Sequence, residues 1–282
     1  MTMFTMPPRQ VLAATDLSAQ AGLAIQRAAQ LVAQHGAQLT ALHVVPPRLD
    51  PELTEFAQSR LDAQVHQYAA VAAETVLRAG KAGAEIVAEA DHRAADLLVV
   101  GAHTAHWLAD PFLGSTAENV VRASQAPVLV VKKPPDTAYR SVLLTVDTSE
   151  TSAAAARAAS ALTPEADHVV VHVHVVIGEH LMQMRGIDEV ELAQLCRVSS
   201  DQVRPRVEEL AAALTPRPTQ VVIESGRPQS VLPDLVDHYE PDLIVVGTGE
   251  RSKLGYALLG SVALHVMRQA KSDVLVIRGP EK

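Results

Sequence analysis

The chain has 282 residues, 48% of them hydrophobic, and 24 Lys and Arg against 32 Asp and Glu give a net charge of −8. That length suits two domains of ordinary size, and the negative balance would repel a nucleic-acid backbone. One cysteine, Cys196, rules out an internal disulfide framework and fits a reducing cytoplasm.

No apolar run marks Met1–Gln10 as a secretion signal. The longest apolar stretch, Val169–Ile177, is interrupted by His172 and His174 and is too short to span a bilayer. A soluble cytoplasmic protein is expected, with no membrane and no nucleic-acid partner.

Along the chain, short β-branched runs alternate with Ala-rich helical patterns, the mark of βαβ units and a parallel sheet covered on both faces. Strands are predicted near 9–15, 37–45, 73–78, 96–101 and 127–132, with helices over 18–35, 52–70, 81–93 and 115–124. Lys-Lys-Pro-Pro-Asp-Thr-Ala-Tyr-Arg then separates Val131 from Ser141, and its prolines and charges break the pattern. The boundary is placed near Pro135, giving domains 1–135 and 138–282. The second domain predicts strands near 140–146, 168–176, 219–224, 242–247 and 273–278, and helices near 149–162, 187–214, 228–239 and 261–270.

The two domains repeat each other. Val-Leu-Ala-Ala-Thr-Asp16 returns as Val-Leu-Leu-Thr-Val-Asp147, and Leu-Leu-Val-Val-Gly101 returns as Leu-Ile-Val-Val-Gly247. Leu-Gly-Ser ends at both Ser115 and Ser261, and Pro-Val-Leu-Val-Val131 matches Asp-Val-Leu-Val-Ile277. Asp16 to His43 and Asp147 to His174 are both 27 positions, and Gly101–Gly114 and Gly247–Gly260 are both 13. Shared order with shared gaps means a duplicated fold. Asp16 to Gly101 spans 85 positions and Asp147 to Gly247 spans 100, so the second copy carries about fifteen extra residues, placed around Gly178–Arg204.

In an open parallel sheet, ligands bind beyond the carboxyl ends of the strands. There the first copy offers Asp16, Val44, Gly101 and the helix start Gly114-Ser115-Thr116. Free amides and the positive dipole end of that helix favour an anion such as phosphate. Asp16 can accept from an adenine amine or a ribose hydroxyl, or it can simply cap the following helix. Taken singly, Asp16 and Gly114-Ser115 read best as caps; their repeated combination turns the balance toward a nucleotide pocket.

This set of motifs resembles the universal stress protein family in its tandem form. The resemblance implies two doubly wound α/β domains of the adenine nucleotide alpha hydrolase-like type, each with a five-stranded parallel sheet of order 3-2-1-4-5. It implies ATP binding, with Mg as an optional companion, through Asp16 and Val44 for adenosine and Gly101, Gly114, Ser115 and Thr116 for ribose and phosphates. The matching set in the second copy is Asp147, Val175, Gly247, Gly260 and Ser261. Both copies depart from the family's Gly-x-x-Gly: the second glycine is Thr104 in one and Glu250 in the other. The Thr104 hydroxyl could replace a lost amide contact. Glu250 sets a like charge beside the phosphates unless Arg251 or Lys253 offsets it, and Gly249 could restore the turn one position early.

The resemblance also implies pairing of the last strands, Val128–Val131 with Val274–Ile277, which would close two open edges, and a homodimer of the whole chain. The implied role is a stress-response regulator that binds nucleotide rather than an enzyme, with slow ATP hydrolysis at most. The alternative is a nucleotide-free scaffold acting through protein contacts. An ATP-cleaving ligase would need a Ser-Gly-Gly-x-Asp-Ser loop after the first strand, which neither copy has.

Other candidates read as structural. Gly247-Thr-Gly249 follows the fourth strand and has Ser252 where a dinucleotide fingerprint needs glycine. His172 with His174, and His103 with His106, lack the third ligand a metal site needs. Cys196 reads as a packed thiol. Trp107, Pro111 and Phe112 read as packing beneath the loop over the first site.

Overall fold

The β-branched runs form strands and the Ala-rich stretches form the helices that cover them. The computed structural model of the protein describes residues 7–102, 114–176, 188–248 and 260–279. Thr104, Gly249, Glu250, Arg251, Lys253, His103, His106, Trp107, Pro111 and Phe112 lie outside the described residues.

The first lobe runs β1 (Gln10–Thr15), α1 (Ala19–His35), β2 (Gln38–Val45), α2 (Pro51–Tyr68), β3 (Ala73–Ala79), α3 (Ala82–His92), β4 (Leu97–Gly101), α4 (Ser115–Ala123) and β5 (Val128–Val131). The second runs β6 (Ser141–Val146), α5 (Glu150–Leu162), β7 (Asp167–His174), α6 (Glu189–Ala212), β8 (Gln220–Ser225), α7 (Pro228–Tyr239), β9 (Leu243–Thr248), α8 (Ser261–Gln269) and β10 (Asp273–Arg278). Ser18 and Ser149 cap α1 and α5 by accepting the amides of Ala21 and Ser152, as expected of hydroxyls at helix starts. Gly80 and Gly226, at φ of +157° and +137°, turn the chain out of β3 and β8, where a side chain would be strained.

Each lobe has the order 3-2-1-4-5, and together they make one ten-stranded sheet, β3-β2-β1-β4-β5-β10-β9-β6-β7-β8. All pairings inside a lobe are parallel; β5 and β10 pair antiparallel. One buried apolar cluster lies under α1, α2, α5 and α6, and the other under α3, α4, α7 and α8.

Polar side chains cross the seam in corresponding pairs. The Lys132 ammonium, one residue past β5, donates to the carbonyls of Met267 and Ala270 at the end of α8. Arg278, at the matching place in β10, donates to the Arg122 carbonyl at the end of α4. Each cation sits where the helix dipole favours it. One element has no counterpart. Buried Asp273 accepts the amides of Lys132 and Lys133 and the Tyr139 hydroxyl at 2.6 Å, with Arg27 3.5 Å away and stacked on the Tyr139 ring.

The registers locate the unequal lengths. Gln10 pairs with Gln38 but Ser141 with Asp167, so the second lobe is two residues shorter between its first two strands. Thr40 pairs with Glu74 but Val169 with Gln220, so it is seventeen longer between the next two. The fifteen-residue excess read from the sequence is the net of these two changes.

Candidate functional site

The site of the first lobe forms where β1 and β4 separate toward opposite neighbours, the switch point of a doubly wound sheet. At the end of β1, Asp16 Oδ1 accepts the Ser18 amide at 3.0 Å, and the Thr15 hydroxyl accepts the Leu17 amide at 2.9 Å. These bonds hold Leu17 at φ +65°, a left-handed conformation costly for a branched residue. The buried Thr15 hydroxyl donates to Gln64 Oε1 at 2.7 Å, while the Gln64 amide donates to the Ser18 carbonyl at 2.7 Å. One side chain on α2 thus braces the turn that presents Asp16.

A cleft of about 100 Å³ opens there, lined among others by Asp16, His43, Val44, Gly101, Gly114 and Thr116. Ser115 is exposed at the start of α4 and is not part of the lining. Full small-molecule pockets hold roughly 300–1,000 Å³, so the cleft among the described residues is smaller than these. Gly114 begins α4 without a side-chain cap, which leaves first-turn amides available to an anion. His43 Nδ1 lies 2.8 Å from the Thr15 carbonyl. A carbonyl only accepts, so Nδ1 carries the proton and the other ring nitrogen is left for a further partner.

The corresponding cleft in the second lobe holds about 120 Å³ and is lined in part by Asp147, Ser152, Val173, Gly247, Val262 and Ala263. Val175 is not among them; it is 55% exposed, beyond the end of β7. Counting positions from the aspartate points to His174 and Val175, but the strand register gives a different equivalence. Thr15 pairs with His43 and Val146 with His172, and His172 Nδ1 donates to the Val146 carbonyl at 2.8 Å just as His43 does to Thr15. The two residues missing before β7 shift the count, so Val173 stands where Val44 does.

Two further differences separate the clefts. Asp147 Oδ1 accepts both the amide and the hydroxyl of Ser149, and its own amide donates to Ser152 Oγ at 3.1 Å. Burial opposes its ionisation, but hydrogen bonds from Ser149 and Ser152 outweigh that and hold its carboxyl below the usual range. Val146 replaces Thr15, and Leu210 stands at the place of Gln64, so the polar brace is gone. A Cβ on Gly247 would lie 3.2 Å from Ser152 Cα, so this glycine admits α5 against β9. Gly260, by contrast, has nothing within 4 Å of where its Cβ would be, and it begins α8 without a side-chain cap. Ser261 beside it is exposed and accepts from Gln229 at 2.9 Å.

His168, His172 and His174 share the opposite face of β7, with Val170, under α5 and α6. His172 and His174 stack at 6.0 Å, and burial lowers the pKa of His168 and of His174. No group of three or more His, Cys, Asp or Glu that could hold a metal occurs among the described residues. Nor is any helix among them long and apolar enough to cross a membrane. Thr15, Gln64 and His43 were not singled out as site residues; a threonine just before the aspartate, on a buried strand, is the signal that points to them.

Fold and clefts define a duplicated, doubly wound α/β protein with two unequal clefts at corresponding places. The model of the Universal stress protein family matches residues 8–132 and 138–278, and the chain belongs to that family, with two tandem copies of its domain. Universal stress protein MJ0531 of Methanocaldococcus jannaschii is 28% identical over 145 residues, 51% of this chain and 85% of that protein. Universal stress protein Mb2028c of Mycobacterium bovis is 27% identical over 195 residues, 65% of this chain and 62% of its own length. Universal stress protein E of Salmonella typhi is 39% identical over 21% of this chain, a match spanning only 19% of that protein. Among solved structures, a universal stress protein from Archaeoglobus fulgidus superposes with a TM-score of 0.70 at 19% identity, covering 97% of this chain and 99% of that one.

Proposed function

We propose that this chain is a cytoplasmic stress-response regulator whose first lobe binds an adenine nucleotide, ATP with or without Mg, while the second has lost that capacity. The domains are residues 1–135 and 138–282. The observation that carries the reading is the convergence of Asp16, Val44, Gly101, Gly114 and Thr116 on one cleft beside an uncapped helix start. Asp16 and Val44 would hold the adenosine, and Gly101 and the α4 amides, with Ser115 and Thr116, the ribose and phosphates; the Thr104 hydroxyl would stand in for the missing glycine amide. Each amide bonded to a charged oxygen would contribute roughly 1.5–3 kcal/mol.

For the second lobe, the competing contacts of Asp147 favour the scaffold reading. Gly260 and Ser261 keep an open helix start, but Val175 is out of reach and Glu250 adds a like charge; Gly249 would have to compensate. The paired lobes act as one unit through β5 and β10, and two chains form a homodimer.

Isothermal titration of the full chain with ATP tests this. Binding tighter than millimolar, abolished by Gly114→Trp and retained by Gly260→Trp, is the expected result. Affinity weaker than millimolar, or loss through Gly260→Trp instead, overturns it.

A further inference from the structure

A cavity of about 480 Å³ lies between the C-terminal halves of α7 and α8, against about 100 and 120 Å³ for the two clefts at the strand ends. It shares Leu232 with the second-lobe cleft and extends from there to the ends of both helices, at Glu240 and Ala270. Its volume lies in the range of a small-molecule pocket, roughly 300–1,000 Å³.

Comparison of the lobes shows why the helices part there. Gly80, Gly101 and Gly114 correspond to Gly226, Gly247 and Gly260, each 146 positions on, so α3 and α4 map onto α7 and α8 without a gap. In the first lobe a Cβ on Gly83 would lie 3.2 Å from Asn119 Cβ, and α3 and α4 approach closely at these two residues. Their counterparts are Gln229 and His265, whose larger side chains forbid the same approach. Gln229 instead donates to Ser261 Oγ at 2.9 Å. Pro233, where the first lobe has Val87, removes the amide that would bond the Gln229 carbonyl.

The inner lining is apolar, from Leu232, Val236, Val266 and Ala270, and the outer lining is charged. The signs are separated. Asp237 and Glu240 stand at the end of α7, while Lys271 follows α8 and Lys133 comes from the segment between the lobes. None of these four side chains has an ion pair or a hydrogen bond among the described residues. In the first lobe only Asp91 keeps a charge at the matching places; Ala94, Gln125 and Gly279 stand for Glu240, Lys271 and Lys133. Opposite charges on facing walls, unpaired with each other across an apolar interior, match a solute that carries both signs on an apolar body. At about 30 Å³ per water the cavity holds roughly sixteen waters. A dipeptide of two leucines has about as many non-hydrogen atoms, and a single amino acid about half.

We propose that this cavity is a second binding site, for a short apolar peptide of dipeptide size in its zwitterionic form. Lys133 and Lys271 hold its terminal carboxylate, and Asp237 and Glu240 hold its terminal ammonium. The site is separate from the first-lobe cleft and the reading does not depend on nucleotide binding there.

Titration of the full chain with leucyl-leucine, followed by amide chemical shifts and without nucleotide, tests it. A Kd of about 1 mM or tighter is expected for a ligand of this size. N-acetyl-leucyl-leucine lacks the ammonium and leucyl-leucine amide lacks the carboxylate, so each should bind about tenfold more weakly, the loss of one charged contact. Asp237→Asn with Glu240→Gln should weaken leucyl-leucine about tenfold and leave the acetylated peptide unchanged. Lys133→Gln with Lys271→Gln should weaken leucyl-leucine equally and leave the amide unchanged. Both double variants should fold, since they remove no contact within the protein. A Kd weaker than about 1 mM, or an affinity indifferent to the blocked termini or to the double variants, overturns the proposal. Binding lost in Gly114→Trp overturns it too, because the peptide then occupies the first-lobe cleft. Free leucine binding as tightly as the dipeptide overturns the assignment of size.

Discussion

The two lobes share strand order, helix starts and the aspartate after the first strand, yet their clefts are built differently. In the first, Thr15 and Gln64 fix the turn and leave Asp16 with one local hydrogen bond. In the second, Val146 and Leu210 remove that brace and Asp147 turns to Ser149. Duplication preserved the frame, because packing of helices on a shared sheet constrains every core position. The exchange of buried Thr15 and Gln64 for Val146 and Leu210 respects that packing and removes only the polar brace.

The largest expected effect lies at the seam, where Asp273 stands at the place of Pro127. Asp273→Ala leaves Arg27 and Tyr139 buried without their partner and should lower the unfolding free energy by about 3–5 kcal/mol, measured by urea titration. Pro127→Ala should cost well under half as much, and equal costs would erase the asymmetry.

Converting the first turn toward the second should come next. Thr15→Val strands the buried Gln64 amide oxygen and should cost about 1–3 kcal/mol. Adding Gln64→Leu removes the orphan and should recover part of that, which a double-mutant cycle reads directly. Strict additivity would show that the pair is not coupled.

A sharper comparison of the clefts uses the aspartates. Asp16→Ala should weaken ATP binding about tenfold, the loss of one charged hydrogen bond, while Asp147→Ala should leave it unchanged. Equal losses in the titration would mean that the lobes bind alike.

A last comparison concerns the cations that cap the opposite lobes. Burial pushes the Lys132 pKa down to about 8, so between about pH 8 and 10.5 the unfolded chain holds a proton that the folded chain has released. Stability from this group therefore rises with pH across that window and is lost as pH falls through 8. The gain should be on the order of 3 kcal/mol. It should vanish in Lys132→Arg, because a guanidinium stays charged throughout. Unfolding curves of both proteins at pH 7.5 and 10 check this, and an identical pH response would refute it.

Most of the frame was legible in the residues. Each strand and helix predicted for both copies forms within about three residues, because β-branched runs and Ala-rich amphipathic stretches carry their own period. The repeat was equally visible, whereas the strand order followed from the family resemblance and not from any pattern in the residues. The second-lobe site was less so: Val175 falls outside the cleft because a two-residue deletion before β7 leaves the spacing to the next His-Val pair unchanged. Only hydrogen-bond register distinguishes Val173 from it. Gly247 shows a second limit, since its neighbour Ser152 on α5 is distant in sequence.

By itself, then, the sequence determined the duplicated α/β frame, the place of the clefts and the residues able to line the first of them. These follow from local periodicity and from glycine, serine and aspartate at element ends, properties that a chain expresses before it folds. Tertiary structure alone decided which valine reaches the second cleft, that Gln64 holds the first turn, and that Asp273 and Arg27 meet at the seam. Those outcomes depend on contacts between residues tens to hundreds of positions apart, whose geometry no linear pattern encodes.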